Sequence, residues 1–124
     1  MPYTIKYHKA GFVEFKYTGT ITQQEAVESS VEGITLAKKN GVQLYLADHS
    51  ESEMVLPIEQ VQDLMDKLAG KTDVSRNAKL AVVRPTVGGQ TRDNLESFGT
   101  FASNQGWMVS VFDTYQEAID WLTA

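Results

Sequence analysis

Hydrophobic and polar residues alternate at the start of the chain, which predicts β-strands. In the run 12–17 every second side chain is apolar and the two between are charged, so one face is buried and the other is at least partly wet. The run 3–8 has a similar β-rich composition, and a short segment ending in Gly11 separates the two runs. We therefore predict an antiparallel hairpin with one buried face.

The hydrophobic period then changes from 2 to 3.6, which predicts a helix. Thr22 and Glu25 form a capping box at its start, and Gly41 follows its end. Three more amphipathic segments follow. They are a helix starting at Pro57 and ending at Gly70, a helix around 95–102 closed by Gly106, and a last helix over 115–122, for which Asp113 and Gln116 are the expected cap.

Three runs between these helices, 42–47, 79–83 and 107–112, are largely apolar, as in strands covered on both faces. The element order is therefore ββαβαβαβα. Strands alternating with helices indicate a mainly parallel sheet with right-handed crossovers. We predict a single α/β domain over 1–124, with a five-stranded mixed sheet and four helices.

Composition narrows the classes of function. The chain has 124 residues, no cysteine and a net charge of −5. The absence of cysteine excludes disulfides, thiol nucleophiles and cysteine-ligated metals. The acidic balance disfavours nucleic-acid binding, which depends on phosphate neutralisation. No run approaches the roughly 20 apolar residues of a membrane span, so we expect a cytoplasmic protein. We also expect no cofactor.

The element order, the stretch FVEFKYTGTIT (12–22) and the ending GWMVSVFDTYQEAIDWL (106–122) resemble the SpoIIAA-like branch of the STAS superfamily. The resemblance covers nearly the whole chain. It implies a bacterial, regulatory, non-enzymatic domain that binds a protein or a small ligand. Phosphorylatable members carry a serine in an Asp-Ser-Ser-Gly-like motif after the third strand. Asp48, Ser50 and Ser52 occupy the corresponding region, with different spacing and no glycine, which makes Ser50 and Ser52 candidate phosphorylation sites.

In open α/β sheets, ligands bind at the carboxyl ends of the parallel strands. Loops 48–56 and 84–91 and the residues around Asp113 are predicted to meet there. The predicted rim residues are Asp48, His49, Ser50, Arg84, Thr86, Gly88, Gly89 and Gln90. Arg84 and the glycine amides would receive an anionic group, while His49 and Ser50 would supply hydrogen bonds.

Catalytic and metal-binding alternatives are less well supported. Consecutive Asp48, His49 and Ser50 cannot easily align as a triad, because neighbouring side chains on an extended chain point apart. If 49–53 were extended, His49, Glu51 and Glu53 would project to one side as metal ligands. Because we expect a strand-to-helix loop there, we predict no catalytic or metal site.

Two further hypotheses concern apolar surface. Residues 54–56 could line an opening for an apolar or lipid-like ligand, which would make the protein a carrier. Trp121 falls off the apolar stripe of the last helix and would be partly exposed or fill an interface. It is the one indication of a homodimer.

Overall fold

The computed structural model describes residues 3–53, 63, 77–86 and 89–124. Its elements are β1 Tyr3–His8, β2 Phe12–Thr20, α1 Gln23–Lys39, β3 Leu44–Glu53, β4 Lys79–Val83, α2 Gln90–Asn104, β5 Met108–Phe112 and α3 Tyr115–Leu122. These described ranges contain three helices where four were predicted. The predicted helix over 57–70 lies outside them, apart from Asp63.

The five strands form one sheet in the order β1-β2-β3-β4-β5. β1 is antiparallel to β2, and every other neighbouring pair is parallel. The predicted hairpin and the mixed five-stranded sheet are therefore confirmed. β4 and β5 end level with each other, beside Asp48 of β3, so the segments that follow β4 and β5 begin close together. β3 continues five residues further, to Glu53, beside β2.

The helices divide between the two faces of the sheet. Helices α1 and α2 lie on one face, where the side chains of Val13, Phe15 and Tyr17 are buried, and Phe98 of α2 packs against this cluster. Helix α3 lies on the other face and buries Leu122 there. The side chains of that second cluster are Phe12, Leu46, Ala81, Val83, Ala118 and Leu122. Both faces of β4 and of the first part of β3, residues 44–47, are thus covered, which explains why these segments are largely apolar.

The ends of two helices test the predicted caps. At α1 the capping box is present, with the Glu25 amide donating to the Thr22 hydroxyl and the Thr22 amide donating to the Glu25 carboxylate. At α3 the prediction was wrong by one residue. Thr114, not Asp113, is the N-cap, and its hydroxyl accepts from the amide of Glu117. The side chain of Asp113 is engaged by arginines instead.

The largest error in the predicted elements concerns the third strand, β3. The sequence predicted a strand over 42–47 and a loop over 48–56, whereas β3 continues to Glu53. The reason is that β2 continues to Thr20 and pairs with this polar segment, Thr20 lying opposite Glu53. Backbone pairing in a sheet does not require apolar side chains, so the polar composition concealed the strand. Residues 54–56, the predicted lining for an apolar ligand, lie outside the described residues.

Candidate functional site

A bulge in β3 determines which way its polar residues point. Lys16 lies opposite Asp48, but Thr18 lies opposite Glu51, so a step of two residues on β2 matches a step of three on β3. An extra residue of this kind reverses the alternation of side chains. As a result, His49 and Ser52 both face the α1 side of the sheet, where the ring of His49 stacks on that of Tyr17.

His49 is in the interior of the protein. It is 5% exposed, its ring lies 4.3 Å from that of Tyr17 with an angle of 3° between the planes, and its Nδ1 lies 3.0 Å from Ser52 Oγ. Burial lowers the pKa of His49 to about 4, against the smaller opposing effect of the Asp48 charge. A neutral, enclosed imidazole is not part of the accessible rim, where the sequence had placed it.

Asp48 points to the opposite face and forms an ion pair with Lys16. Lys16 Nζ lies 3.1 Å from Asp48 Oδ2 and 3.6 Å from Glu51 Oε2, and the amide of Ser50 donates to Asp48 Oδ1 at 3.0 Å. Burial acts to raise the pKa of Asp48, but the hydrogen bonds from Ser50 and Lys16 outweigh it and the pKa is lowered. Asp48 is therefore a carboxylate whose charge is largely satisfied within the fold.

The two serines named as phosphorylation candidates differ in access. Ser50 is partly exposed and its hydroxyl lies 3.5 Å from Lys16 Nζ. Ser52 is 5% exposed, and besides its contact with His49 Nδ1 its hydroxyl donates to the carbonyl of His49. The hydroxyl of Ser50 is therefore the more accessible of the two on the folded protein, and that of Ser52 is enclosed. Phosphorylation of either serine stays a prediction.

Arg84 lies at the carboxyl end of β4 and takes part in a second ionic network. Its Nε lies 2.8 Å from Asp113 Oδ1 and its Nη1 lies 3.1 Å from Glu96 Oε2. Arg92 Nη1 lies 2.8 Å from the same Asp113 oxygen and also donates to the carbonyl of Pro85. Hydrogen bonds from the two arginines lower the pKa of Asp113, and the bond with Asp113 in turn raises the pKa of Arg84.

The other predicted rim residues are described to different extents. Thr86 is exposed just after β4, and Gly89 is the N-cap residue of α2. Gly88 and the side chain of Gln90 lie outside what the structure describes. Of the residues predicted to bind an anion in this loop, Arg84 is the one whose side-chain contacts are described.

Sequence reasoning missed three polar residues on the α3 face of the sheet. The hydroxyl of Tyr115 donates to Glu14 Oε1, and His8 Nε2 lies 3.0 Å from the same oxygen. Burial, and then Glu14, raise the pKa of Tyr115. The sequence contained a signal for Glu14. The alternation of charged and apolar residues in β2 places Glu14 on the face opposite Val13 and Phe15, which is the face that α3 partly covers. Lys16, the partner of Asp48, follows from the same alternation.

The two ionic networks lie next to each other, level with the carboxyl ends of β4 and β5. Asp48 is the register partner of Val83, and the next residue, Arg84, donates its amide hydrogen to the carbonyl of Phe112. The Lys16–Asp48 network therefore lies on the α3 face in the middle of β3, level with the carboxyl end of β4. The Arg84–Arg92–Asp113 network begins one residue beyond that end and includes Arg92 of α2. We call these two networks together the strand-end rim.

The side chains of β3 do not point in the directions that the catalytic and metal alternatives require. Asp48 and His49 point to opposite faces of the sheet, so Asp48, His49 and Ser50 do not form a triad. His49 and Glu51 are likewise on opposite faces, because the bulge lies between them. Within residues 3–53, 63, 77–86 and 89–124 no group of three histidine or acidic side chains is placed to hold a metal ion.

Trp121 is partly buried against Phe112, with ring centroids 5.7 Å apart. Lys79 Nζ lies 4.3 Å from the centre of the indole ring and donates to the Trp121 carbonyl at 3.0 Å. Packing within one chain thus accounts for most of this tryptophan surface. A homodimer stays a prediction.

Comparison with solved structures shows that the chain has a SpoIIAA-like fold. The chain is similar to an anti-sigma factor antagonist from Mycobacterium paratuberculosis, with a TM-score of 0.62 and 14% identity over 98% of this chain and 93% of that one. It is also similar to the Bacillus cell fate determinant SpoIIAA in its phosphorylated form, with a TM-score of 0.53 and 16% identity over 95% of this chain and 96% of that one.

A third similar structure is an uncharacterized protein with a SpoIIAA-like fold from Shewanella loihica PV-4. Its TM-score is 0.53 and its identity 18%, over 97% of this chain and 91% of that one. No protein-family model matches the sequence, and no curated protein matches it. The resemblance seen in the sequence is thus confirmed at the level of fold. In the part of the chain that is described, no helix is long and apolar enough to span a membrane.

Proposed function

We propose that this protein is a non-catalytic regulatory module that binds a protein partner through the strand-end rim. The observation that carries the proposal is the pair of neighbouring ionic networks level with the carboxyl ends of β4 and β5, Lys16–Asp48 and Arg84–Arg92–Asp113. The acids of these networks, Glu51, Glu96 and Asp113, are exposed and can meet complementary charges of a partner. The paired side chains are not aligned as nucleophile, base and acid. Similarity to an anti-sigma factor antagonist agrees with this function.

The proposed surface combines opposite charges at short range. Lys16 and Arg84 are cations in partly covered positions, and Glu51 and Glu96 are acids on the outer side. A partner with a complementary pattern would be selected by charge, and a mismatched one would be rejected by repulsion. Ser50 adds a hydroxyl group beside Lys16, and Thr86 is exposed two residues after Arg84.

Site-specific photo-cross-linking in the cells that make the protein tests this proposal. A photoreactive amino acid at position 86 samples the rim, and the same amino acid at position 40, beyond the end of α1, samples the opposite end of the sheet. We expect one partner to be captured from position 86 and not from position 40. Arg84→Ala should reduce that capture, while Lys39→Ala, which removes a cation at the opposite end, should not.

Equal capture from both positions, or capture unaffected by Arg84→Ala, would show that the rim is not the binding surface. Native mass spectrometry of the protein from its own host gives an independent result. A bound apolar molecule lost on denaturation would favour the carrier hypothesis, whereas a covalent phosphate on Ser50 would add a modification to the rim.

A further inference from the structure

The carboxylate of Asp113 is bound by two arginines through one oxygen. Arg84 Nε and Arg92 Nη1 each lie 2.8 Å from Asp113 Oδ1. Two charge-assisted bonds of this length are among the strongest polar contacts in a protein. The two guanidinium groups therefore define a position that fits a carboxylate oxygen, and in the free protein Asp113 occupies it.

The arginines are held by the fold, and the acids lie outside them. The side chains of Arg84 and Arg92 are 17% and 24% exposed, whereas those of Asp113 and Glu96 are 49% and 63% exposed. Arg92 is also tied to the carbonyl of Pro85. Rotation of the two acids into solvent would uncover both cations without moving the strands or helices that hold them.

We infer that Arg84 and Arg92 form a binding site for a carboxylate of an acidic peptide segment, and that Asp113 occupies this site until such a segment replaces it. The inference rests on the proposed function and gives the chemistry of the partner. A glutamate or aspartate side chain of the partner offers an equivalent carboxylate oxygen, so the two 2.8 Å contacts of Asp113 Oδ1 can be exchanged without rearranging the arginines.

An incoming carboxylate must compete with Asp113 for the two arginines. Asp113 is attached next to the site and competes with any incoming carboxylate at a high effective concentration. The apparent affinity for an external acid is reduced by the fraction of molecules in which the site is occupied from within. Removal of the Asp113 charge should therefore strengthen binding of an acidic peptide, although it adds no contact to that peptide.

The test uses an N-acetylated, C-amidated hexaglutamate peptide with a fluorescent label, titrated with the whole protein at low ionic strength. Asp113→Asn keeps the size of the side chain and removes its charge. Asp93→Asn is the matched control, since it makes the same charge change at an exposed residue on α2. We expect Asp113→Asn to bind the peptide about tenfold more tightly than Asp93→Asn.

Two further variants make the result specific. Glu96→Gln frees only Nη1 of Arg84 and should give a smaller gain, which also provides a second measurement if Asp113→Asn folds poorly. Adding Arg92→Ala to Asp113→Asn should abolish the gain. The inference is overturned if Asp113→Asn binds no more tightly than Asp93→Asn, or if its gain survives Arg92→Ala.

These results are distinguishable from those for the proposed function. If Asp113→Asn gives no gain but Arg84→Ala still reduces partner capture, the partner binds the rim and Asp113 is not its competitor. If the gain appears but Arg84→Ala leaves partner capture unchanged, the arginines bind acids and the partner binds elsewhere.

Discussion

His49 Nδ1 and Ser52 Oγ lie 3.0 Å apart on the same face of the sheet, although residues three apart on a regular strand point to opposite faces. The bulge in β3 makes this contact possible, and both side chains are buried, with the ring of His49 stacked on that of Tyr17. The same bulge leaves Asp48 and Glu51 on the other face with Lys16. One extra residue thus separates a neutral interior pair from a charged surface network.

Acid should destabilise the protein through His49. The pKa of this histidine is about 4 in the folded state and near 6.5 when unfolded, so the unfolded state binds more protons as the pH falls between these values. The free energy of unfolding should fall by about 2 kcal/mol from near pH 7.5 to near pH 5, as measured by urea denaturation. Asp48, whose pKa is lowered, titrates below this window.

His49→Asn is the control for that experiment. The asparagine amide can take the place of Nδ1 beside Ser52 but does not titrate. The variant should be less stable at neutral pH and should lose much less stability between pH 7.5 and pH 5. An unchanged pH dependence would mean that a different group is responsible.

The ion pair between Lys16 and Asp48 should contribute measurably to stability. Lys16→Met leaves the Asp48 carboxylate, which is only 10% exposed, without its cation, and should cost about 1–3 kcal/mol in chemical denaturation. Lys6→Met, at an exposed position on β1, should cost much less. Adding Asp48→Asn to Lys16→Met should recover part of the loss, and a strictly additive double variant would contradict a direct interaction.

Gly33 should not tolerate a larger residue. A Cβ atom at this position would overlap the ring of Phe15, which is itself buried in the sheet. Gly33→Ala should therefore destabilise the protein by about 2–3 kcal/mol, despite the gain in helix propensity of about 1 kcal/mol. In the background Phe15→Leu the same substitution should cost much less, and an equal cost in both backgrounds would show that the ring is not the obstacle.

Thr114 should matter to α3 as its N-cap. Thr114→Ala removes the hydroxyl that accepts from the Glu117 amide and should cost about 1 kcal/mol in thermal or chemical denaturation. Thr35→Ala, at an exposed position within α1, should be neutral or slightly stabilising, because alanine has the higher helix propensity. Equal effects of the two substitutions would argue against the cap.

Local signals predicted much of the architecture. Alternation in β2 gave the buried face of the hairpin, and the Thr22–Glu25 capping box marked the start of α1. These features depend on neighbours within a few residues, which the sequence displays directly. The error at Thr114 was small because two adjacent residues could each serve as a cap.

The arrangement of the candidate site depended on contacts between distant residues. The sequence placed Asp48, His49 and Ser50 together in a loop, but pairing of β2 with β3 made them part of a strand and sent His49 inward. Likewise, nothing near Arg84 in the sequence indicates that Asp113 binds it, because β4 and β5 must first lie side by side.

The sequence by itself therefore determined the order of the described elements, the buried face of the hairpin and some of the polar residues near the strand ends. The periodicity of side chains and the chemistry of helix caps are local, so these properties do not depend on the rest of the fold. Only the tertiary structure decided which polar residues are buried, which are paired and which face solvent. Those outcomes depend on strand register and on a single bulge, and a shift of one residue in register moves each side chain to the other face.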